Sequence, residues 1–330
     1  MYISIDYTSF FIIYSRISKY SCVVKNIVLR GRREKMIVLS LFDGMSCGRI
    51  ALQKIGIQPT KYFASEIKPH AIKCAKTNFP DIIHIGDVTK VSYKDGILNT
   101  EFGAYETGEI DLLIGGSPCQ DFSLLKVDGK GLEGDKSKLF YEYLRLLREV
   151  KPKHFLLENV KMKKESRNQL NQYLGVEGID INSRLVSYQN RPRIYWTNIP
   201  GVTVPEDKCI NFQDYKNADP DYCRRFKVKR TPSREKMWNN GNGKNSLGTC
   251  QNITNSEKIY CVTRKQDRAP NSGLIEFEDF CRYLTREELE RAQTVPVGYT
   301  NCVSYNQAQD LLGDGWTVDV IAHIFRNLVG

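Results

Sequence analysis

The chain has 330 residues, of which 41% are hydrophobic and 26% charged, a composition typical of soluble globular proteins with a large core. Its formal net charge of +10 suits a polyanionic partner, although a basic balance often reflects solubility alone. No apolar run approaches the length of a membrane span. The 10 cysteines include no Cys-x-x-Cys pair, so the spacing argues against a zinc site and a compact disulfide framework and predicts a reducing cytosol.

Residues 1–35 differ in composition from the rest of the chain. An apolar stretch rich in Ile, Phe and Tyr comes first, and the basic run 29–35 follows it. A secretory signal has the opposite order, with positive charge before the apolar segment. We therefore interpret residues 1–35 as an N-terminal extension, and we hypothesise that Met36 is the translational start.

From residue 36 onward, short apolar runs alternate with longer amphipathic runs, which predicts repeated βα units and an α/β fold. Strands are predicted at 37–42, 61–65, 82–85, 110–114, 155–157, 185–187 and 194–197. Helices are predicted at 49–55, 69–78, 137–150, 285–292 and 318–328. Thr285 and Glu288 have the spacing of a capping box at the start of the fourth helix.

The regular pattern fades after residue 200. Residues 201–281 are polar, basic and rich in turn-forming residues, so we predict a separate lobe there. Residues 36–200 and 282–330 would then form one catalytic domain. The basic run 224–230 within the lobe is explained equally well by a solvated surface and by contact with nucleic acid.

A cofactor site is predicted at the turn Phe42-Asp43-Gly44, which follows the first strand, together with Glu66 at the end of the second. Glycine lets a ligand approach the backbone, and a carboxylate at the end of the second strand, as in Glu66, can accept hydrogen bonds from both ribose hydroxyls. The turn lacks the glycine spacing of a pyrophosphate site, and Asp43 would repel phosphates. This favours S-adenosylmethionine over NAD. Asp87, after the third strand, could accept from an adenine amino group, or it could simply cap a helix.

A covalent active site is predicted from two residues at strand ends. Cys119, in a Ser-Pro-Cys-Gln sequence, comes after strand 110–114 and two glycines, and Glu158 comes directly after strand 155–157. In a parallel sheet, both would lie at the carboxyl edge, where open α/β folds bind ligands. A single cysteine is often a small buried hydrophobe. The proline and polar neighbours of Cys119 argue against that explanation.

Two arginines are further candidates for the site. Arg191 and Arg193 are two positions apart in an extended segment, so their side chains point to one side. Burying two guanidiniums is costly unless an anionic or carbonyl-rich group meets them. A solvated edge strand is the alternative, and the presence of Cys119 and Glu158 favours a role in the site.

Taken in order, these motifs resemble those of the DNA methyltransferases that modify carbon 5 of cytosine. The resemblance covers 36–200 and 282–330 and is completed by Arg282-x-Leu284-Thr285, Gln293, Pro296 and Leu312-Gly313-Asp314-Gly315-Trp316. It is closest to phage and prophage enzymes related to the animal de novo type. It implies a Rossmann-like S-adenosylmethionine-dependent methyltransferase sheet with a small irregular target-recognition lobe, acting on a short sequence of double-stranded DNA.

The resemblance also implies residue roles. Cys119 would attack carbon 6 of a flipped-out cytosine, protonated Glu158 would hydrogen-bond ring nitrogen 3, and Arg193, supported by Arg191, would hold the ring carbonyl. Cofactor contacts are expected from Phe42, Asp43, Gly44, Glu66, Ile67, Asp87, Val88 and Trp316. DNA contacts are expected from Gln120, Ser123, Lys126, Lys130, Arg224 and Arg225, the first four in a mobile loop 120–134. No metal is expected.

Two other functions remain open at this stage: a tRNA cytosine-5 methyltransferase and a catalytically silent DNA-binding relative. The basic lobe favours DNA over tRNA, and the intact Cys119, Glu158 and Arg193 argue against a silent relative. The resemblance implies a cytoplasmic, nucleoid-associated protein of a bacterium or a phage-infected host. A restriction enzyme of matching specificity is a candidate partner.

Overall fold

A computed structural model describes residues 36–117, 138–229, 231–232, 252–266, 271–277 and 279–329. The extension 1–35 therefore lies outside the described residues. So do five predicted site residues: Cys119, Gln120, Ser123, Lys126 and Lys130. Residues 36–330 form one compact unit.

The described strands are β1 (Ile37–Leu41), β2 (Lys61–Ser65), β3 (Ile83–Gly86), β4 (Ser92–Lys94), β5 (Ile97–Thr100), β6 (Gly103–Glu106), β7 (Leu112–Gly115), β8 (His154–Val160), β9 (Ile179–Asn182), β10 (Pro192–Thr197), β11 (Ile275–Glu276) and β12 (Cys281–Arg282). The described helices are α1 (Cys47–Lys54), α2 (Pro69–Asn78), α3 (Lys138–Val150), α4 (Lys164–Leu174), α5 (Pro220–Cys223), α6 (Arg286–Ala292), α7 (Tyr305–Asp314) and α8 (Val318–Phe325).

A seven-stranded sheet in the order β3-β2-β1-β7-β8-β10-β9 forms the centre of the molecule. Strands β1, β2, β3, β7 and β8 are parallel, and β10 runs antiparallel to both of its neighbours. The chain moves outward from β1 to β3 and then crosses to β7 on the other side of β1. Crevices at such a reversal of strand order are where open α/β sheets bind ligands.

Both faces of the sheet are covered, which confirms the predicted α/β class. Along β1, Val38 belongs to one buried cluster and Leu39 to the other, because successive side chains point to opposite faces. Helices α1 and α8 pack together on the face of Val38, and α3 contributes Phe140 and Tyr143 to the opposite cluster. Two buried faces explain why these strands read as continuous apolar runs rather than alternating ones.

The predicted sixth strand at 185–187 is wrong. A short 3-10 turn occupies Ser183–Leu185, and the edge strand is β9, which ends at Asn182. The Asn182 side chain accepts from the Arg184 amide, and this local hydrogen bond turns the chain out of the sheet. The fifth strand is longer than predicted, since β8 continues through Glu158 to Val160.

Several elements were not predicted. Helix α4 buries only Leu170 and Leu174, so its sequence carries little apolar periodicity. The small antiparallel sheet β4-β5-β6 is half exposed, and helix α7 begins at a Ser304 capping box. By contrast, the predicted capping box of Thr285 and Glu288 is confirmed at the start of α6.

Candidate active site

A cavity of about 410 Å³ opens at the carboxyl ends of β1, β2, β7 and β8. Every predicted catalytic or cofactor residue within the described ranges lines it: Phe42, Asp43, Gly44, Glu66, Ile67, Asp87, Val88, Glu158, Arg191, Arg193 and Trp316. Ser117, two residues before Cys119, lines the same cavity. These residues come from segments spread over most of the chain, so the fold brings them together.

The turn after β1 is organised by Asp43. Its carboxylate accepts hydrogen bonds from the hydroxyls of Ser40 at 2.6 Å, Tyr62 at 2.8 Å and Ser46. Burial raises the pKa of Asp43 to about 6, although those hydroxyls oppose the shift. The backbone of Phe42 has a φ of 56°, a left-handed conformation that the packed turn imposes on a non-glycine residue. Asp43 thus faces the cavity with a carboxylate that holds the turn in shape.

Glu66 joins the end of β2 to that turn. Its Oε2 accepts from the Gly44 amide at 2.8 Å, and Oε1 accepts from the amides of Ile67 and Lys68 at 2.8 and 2.9 Å. A carboxylate offers about four acceptor positions. Three are used here, so one remains for a ligand hydroxyl.

Ile67 and Asp87 flank the same end of the cavity. The Ile67 side chain is 68% exposed, an unusual state for isoleucine and one that suits packing against a planar ligand. Asp87 accepts from the Thr89 amide at 2.9 Å, so it does cap a short helical turn. It also lines the cavity, so the contact with an adenine amino group stays a prediction beside the observed cap.

Glu158 is held from two sides. Its Oε1 lies 2.9 Å from Arg193 Nε, and its Oε2 accepts from Trp316 Nε1 at 3.0 Å. Strand pairing explains the first contact, because Arg193 lies opposite Val160 in the β8–β10 ladder and is therefore a diagonal neighbour of Glu158. Glu158 is buried, so both charge-assisted contacts are shielded from water.

Arg191 is satisfied by the protein's own backbone. Its guanidinium donates to the carbonyls of Val262, Gly313 and Gly315 at 2.8, 2.9 and 2.9 Å. The side chain is only 3% exposed, and hydrogen bonds to these carbonyls offset the desolvation cost of burying the guanidinium. Arg191 thereby connects the start of β10 to Val262, in the segment predicted as the lobe, and to the segment that carries Trp316.

Two residues that contact the cavity wall around Ser117, namely Gly116 and Asn159, were missed by sequence reasoning. A Cβ on Gly116 would lie 2.8 Å from Trp316 Nε1 and 3.0 Å from Glu158 Oε2, so only glycine fits there. Asn159 donates to Ser117 Oγ at 3.2 Å and ties the segment after β7 to β8. A glycine pair and an asparagine after a glutamate were visible in the sequence, but neither pattern indicates such contacts.

An ion-pair cluster of Lys68, His70, Arg264, Asp310 and Asp314 borders the cavity, and it was also missed. Lys68 lies 2.7 Å from Asp314 and 3.2 Å from Asp310, and Arg264 lies 2.5 Å from Asp310. Burial raises the pKa of Asp310, but hydrogen bonds from His70 and Arg264 outweigh it and keep that pKa below its usual value. The cluster joins Lys68 and His70, which follow β2, to Arg264 of the predicted lobe and to α7.

Arg224 and Arg225 lie away from the cavity. Arg224 pairs with Asp279 at 2.7 Å and stacks on Phe280, and Arg225 stacks on Tyr222. Both arginines are exposed. Within the described ranges, no group of three or more His, Cys, Asp or Glu residues could hold a metal ion. None of the helices in the described part of the chain is long and apolar enough to cross a membrane.

The fold is that of known methyltransferases. The Dnmt2 methyltransferase of S. pombe superposes with a TM-score of 0.66 at 18% identity, covering 89% of this chain and 98% of that one. The Entamoeba histolytica methyltransferase EhMeth gives the same TM-score at 15% identity, covering 89% and 99%. At such identities the likeness shows the architecture alone.

The sequence match is more specific. The family of C-5 cytosine-specific DNA methylases matches residues 36–330, so this chain belongs to that family. Similar proteins include the orphan methyltransferases M.Rho11sI of Bacillus phage rho11s, 33% identical over 53% of the chain, and M.SPRI of Bacillus phage SPR, 35% identical over 56%. The chain spans only 35% and 42% of their lengths. M1.ScrFI of Lactococcus lactis subsp. cremoris is 28% identical over 89% of the chain and 78% of its own length.

Proposed function

We propose that this protein transfers a methyl group from S-adenosylmethionine to carbon 5 of cytosine in a short sequence of double-stranded DNA. The observation that carries the proposal is a single cavity lined by Glu66 and Ile67, which follow β2, and by Ser117, Glu158 and Arg193, which lie on the β7, β8 and β10 side of the sheet. A cofactor and a base bound to these two sets of residues would meet inside it. Family membership supports the same reaction.

The chemistry of the lining fits S-adenosylmethionine. Asp43, Glu66 and Glu158 place carboxyl groups around the cavity, which suits a cationic sulfonium better than a pyrophosphate. Glu66 would hold the ribose through its remaining acceptor position, and Ile67 and Val88 would pack against the adenine. The bound cofactor would supply an electrophilic methyl group.

The chain's own residues would prepare the cytosine to accept that methyl group. The base must leave the helix, at a cost of a few kcal/mol. The thiolate of Cys119 would form a bond to carbon 6, which pushes electron density to carbon 5. Protonated Glu158 would donate to ring nitrogen 3, and Arg193 would hold the ring carbonyl. After methylation, carbon 5 loses its proton to a base and the bond between Cys119 and carbon 6 breaks.

The side chain of Glu158 is already held in position before the base binds. Arg193 and Trp316 each occupy one oxygen of its carboxylate, so the group presents a fixed edge to the cavity. Such preorganisation means that little reorientation is needed when the base arrives. The exocyclic and ring atoms of cytosine would meet a carboxyl group and a guanidinium already in contact with each other.

The test is a methyl-transfer assay on purified protein with labelled S-adenosylmethionine, offering duplex DNA and tRNA separately. We expect label in duplex DNA, none in tRNA, and none with the Cys119→Ala variant. Cys209→Ala is a matched control, because Cys209 is an exposed free cysteine that does not line the cavity. Label in tRNA alone would refute the DNA assignment, and full activity of Cys119→Ala would refute the covalent mechanism.

DNA contacts, cellular location and a partner follow from the same proposed reaction. Arg224 and Arg225, with the predicted loop residues Gln120, Ser123, Lys126 and Lys130, would contact DNA. Such an enzyme would act in the cytoplasm on nucleoid or phage DNA, and a restriction enzyme that cuts the same sequence is a candidate partner. Base-resolution methylation sequencing of DNA from expressing cells would identify the sequence.

A further inference from the structure

A second cysteine lies against the two arginines of the site. Cys261 belongs to the segment predicted as the recognition lobe, and its Sγ lies 3.2 Å from Arg191 Nη1 and 3.9 Å from Arg193 Nη2. No motif in the sequence singles it out. Its side chain is partly exposed, and it is not among the residues that line the cavity.

All three nitrogens of the Arg193 guanidinium are therefore held. Nε pairs with Glu158, Nη1 donates to the Pro192 carbonyl at 2.8 Å, and Nη2 meets the Cys261 sulfur. A guanidinium is a rigid planar fork, so an acceptor on its far side helps to fix the plane in which Nε meets Glu158. The sulfur and the carboxylate hold the same group from different sides.

The contacts of Arg191 complete a closed chain of interactions that includes Trp316, Glu158 and Arg193. Arg191 binds the carbonyl of Gly315, the residue before Trp316, and Trp316 donates to the second oxygen of Glu158. Both paths that orient Glu158, one through Arg193 and one through Trp316, therefore lead back to arginines that share the Cys261 sulfur. Removing the Cys261 sulfur would therefore affect the contacts that orient both oxygens of Glu158.

The sulfur is suited to this role. A thiolate accepts hydrogen bonds from guanidinium groups much better than a neutral thiol does. Burial raises the pKa of Cys261, but the charges and hydrogen bonds of Arg191 and Arg193 outweigh it and bring that pKa below its usual value. A thiolate would also place a negative charge beside the two guanidiniums.

We propose that Cys261 is a positioning residue for the methyl transfer: its sulfur holds Arg191 and Arg193 in the arrangement that orients Glu158 toward the base. The proposal rests on the proposed function. It gives the lobe a part in the chemistry, because a residue of the lobe would help to set the geometry of a group on β8.

The kinetic test compares Cys261→Ala, which has no acceptor, with Cys261→Ser, which keeps one, and with Cys209→Ala as control. We expect Cys261→Ala to lower kcat at least tenfold with KM for S-adenosylmethionine within twofold of wild type. Cys261→Ser should recover most of the loss. Calorimetric binding of S-adenosylhomocysteine and the melting temperature show whether each variant is folded.

A second arm does not depend on methyl transfer. Iodoacetamide alkylation of Cys261 is followed by peptide mass spectrometry as a function of pH in the Cys119→Ala background. We expect a midpoint below the value of about 8.5 for an ordinary thiol, and a higher midpoint after Arg193→Gln.

The outcomes separate the two proposals. An active wild type with equally active Cys261→Ala overturns the positioning role and leaves the function standing. A wild type that methylates no DNA overturns both, even where alkylation confirms the contact between sulfur and arginine. Equal loss of kcat in Cys261→Ala and Cys261→Ser, with normal melting and alkylation at an ordinary midpoint, also overturns the positioning role.

Discussion

Replacing Gly116 by alanine tests how Glu158 is oriented. The added Cβ would lie 2.8 Å from Trp316 Nε1 and 3.0 Å from Glu158 Oε2, inside van der Waals contact with both partners of one hydrogen bond. Glu158 cannot move far, because it is also paired with Arg193. The methyl group must therefore separate Trp316 from Glu158.

The cost follows from the bond that is lost. A hydrogen bond to a charged, buried group contributes about 1.5–3 kcal/mol. If that bond orients Glu158 in the transition state, Gly116→Ala should lower kcat by roughly 10- to 100-fold, since each 1.4 kcal/mol is about a factor of ten. The melting temperature should change little in comparison, because the clash is at the cavity wall.

Steady-state methyl transfer to DNA, with the melting temperature measured in parallel, is the assay. Gly115→Ala is the matched control: the three atoms nearest its Cβ belong to the Tyr143 ring, at 3.0 Å, and to the Leu41 carbonyl, at 3.2 Å, and not to Trp316 or Glu158. That variant should lose stability more than it loses kcat per folded molecule. An unchanged kcat in Gly116→Ala, or equal kcat losses in both variants, would refute the reasoning.

Three further predictions concern other residues of the cavity. Trp316→Phe should lower kcat in the same range as Gly116→Ala while Tm is retained, because Glu158 loses one donor; an unchanged kcat would contradict this. Glu66→Gln should weaken S-adenosylhomocysteine binding at least tenfold by calorimetry, because an amide NH₂ would face the Gly44 amide; unaltered affinity would argue against the ribose site. The folded pKa of Asp43 is about 6 against 3.8 for its ordinary value, so its protonated form is favoured by folding. Its contribution is complete below pH 3.8 and is lost as the pH rises through 6, which should lower the free energy of unfolding by about 3 kcal/mol across that window. Denaturant unfolding at several pH values should show this slope in wild type and lose it in Asp43→Asn; an identical slope in the variant would contradict the shift.

Sequence reasoning worked best where local chemistry decides the structure. Strand β2 and helix α2 occupy the predicted residues, because a short buried apolar run and a proline at the first helical position are local signals. The Thr285 cap is likewise contained within four residues. Strand β9 was missed because it is a short edge strand whose end is set by the Asn182 side chain.

The cavity was predictable as a set of residues but not as a set of contacts. Glu66 and Glu158 could be proposed because each follows a recognisable strand, and Arg193 because it lies two positions from Arg191 in an extended segment. The partners of Arg191 lie at residues 262, 313 and 315, up to 124 positions away, and no local pattern encodes them. Cys261 has no motif at all, and only the folded arrangement places its sulfur between two guanidiniums.

The covalent bond between Cys119 and cytosine is the central claim, and trapping it is the most direct test. Duplex DNA containing 5-fluorocytosine throughout needs no knowledge of the recognition sequence, and fluorine at carbon 5 cannot leave as the proton does. With S-adenosylmethionine present, we predict a stable protein–DNA complex whose nucleotide is attached to the peptide that contains Cys119. A complex that persists in Cys119→Ala, or attachment at another residue, would contradict the account.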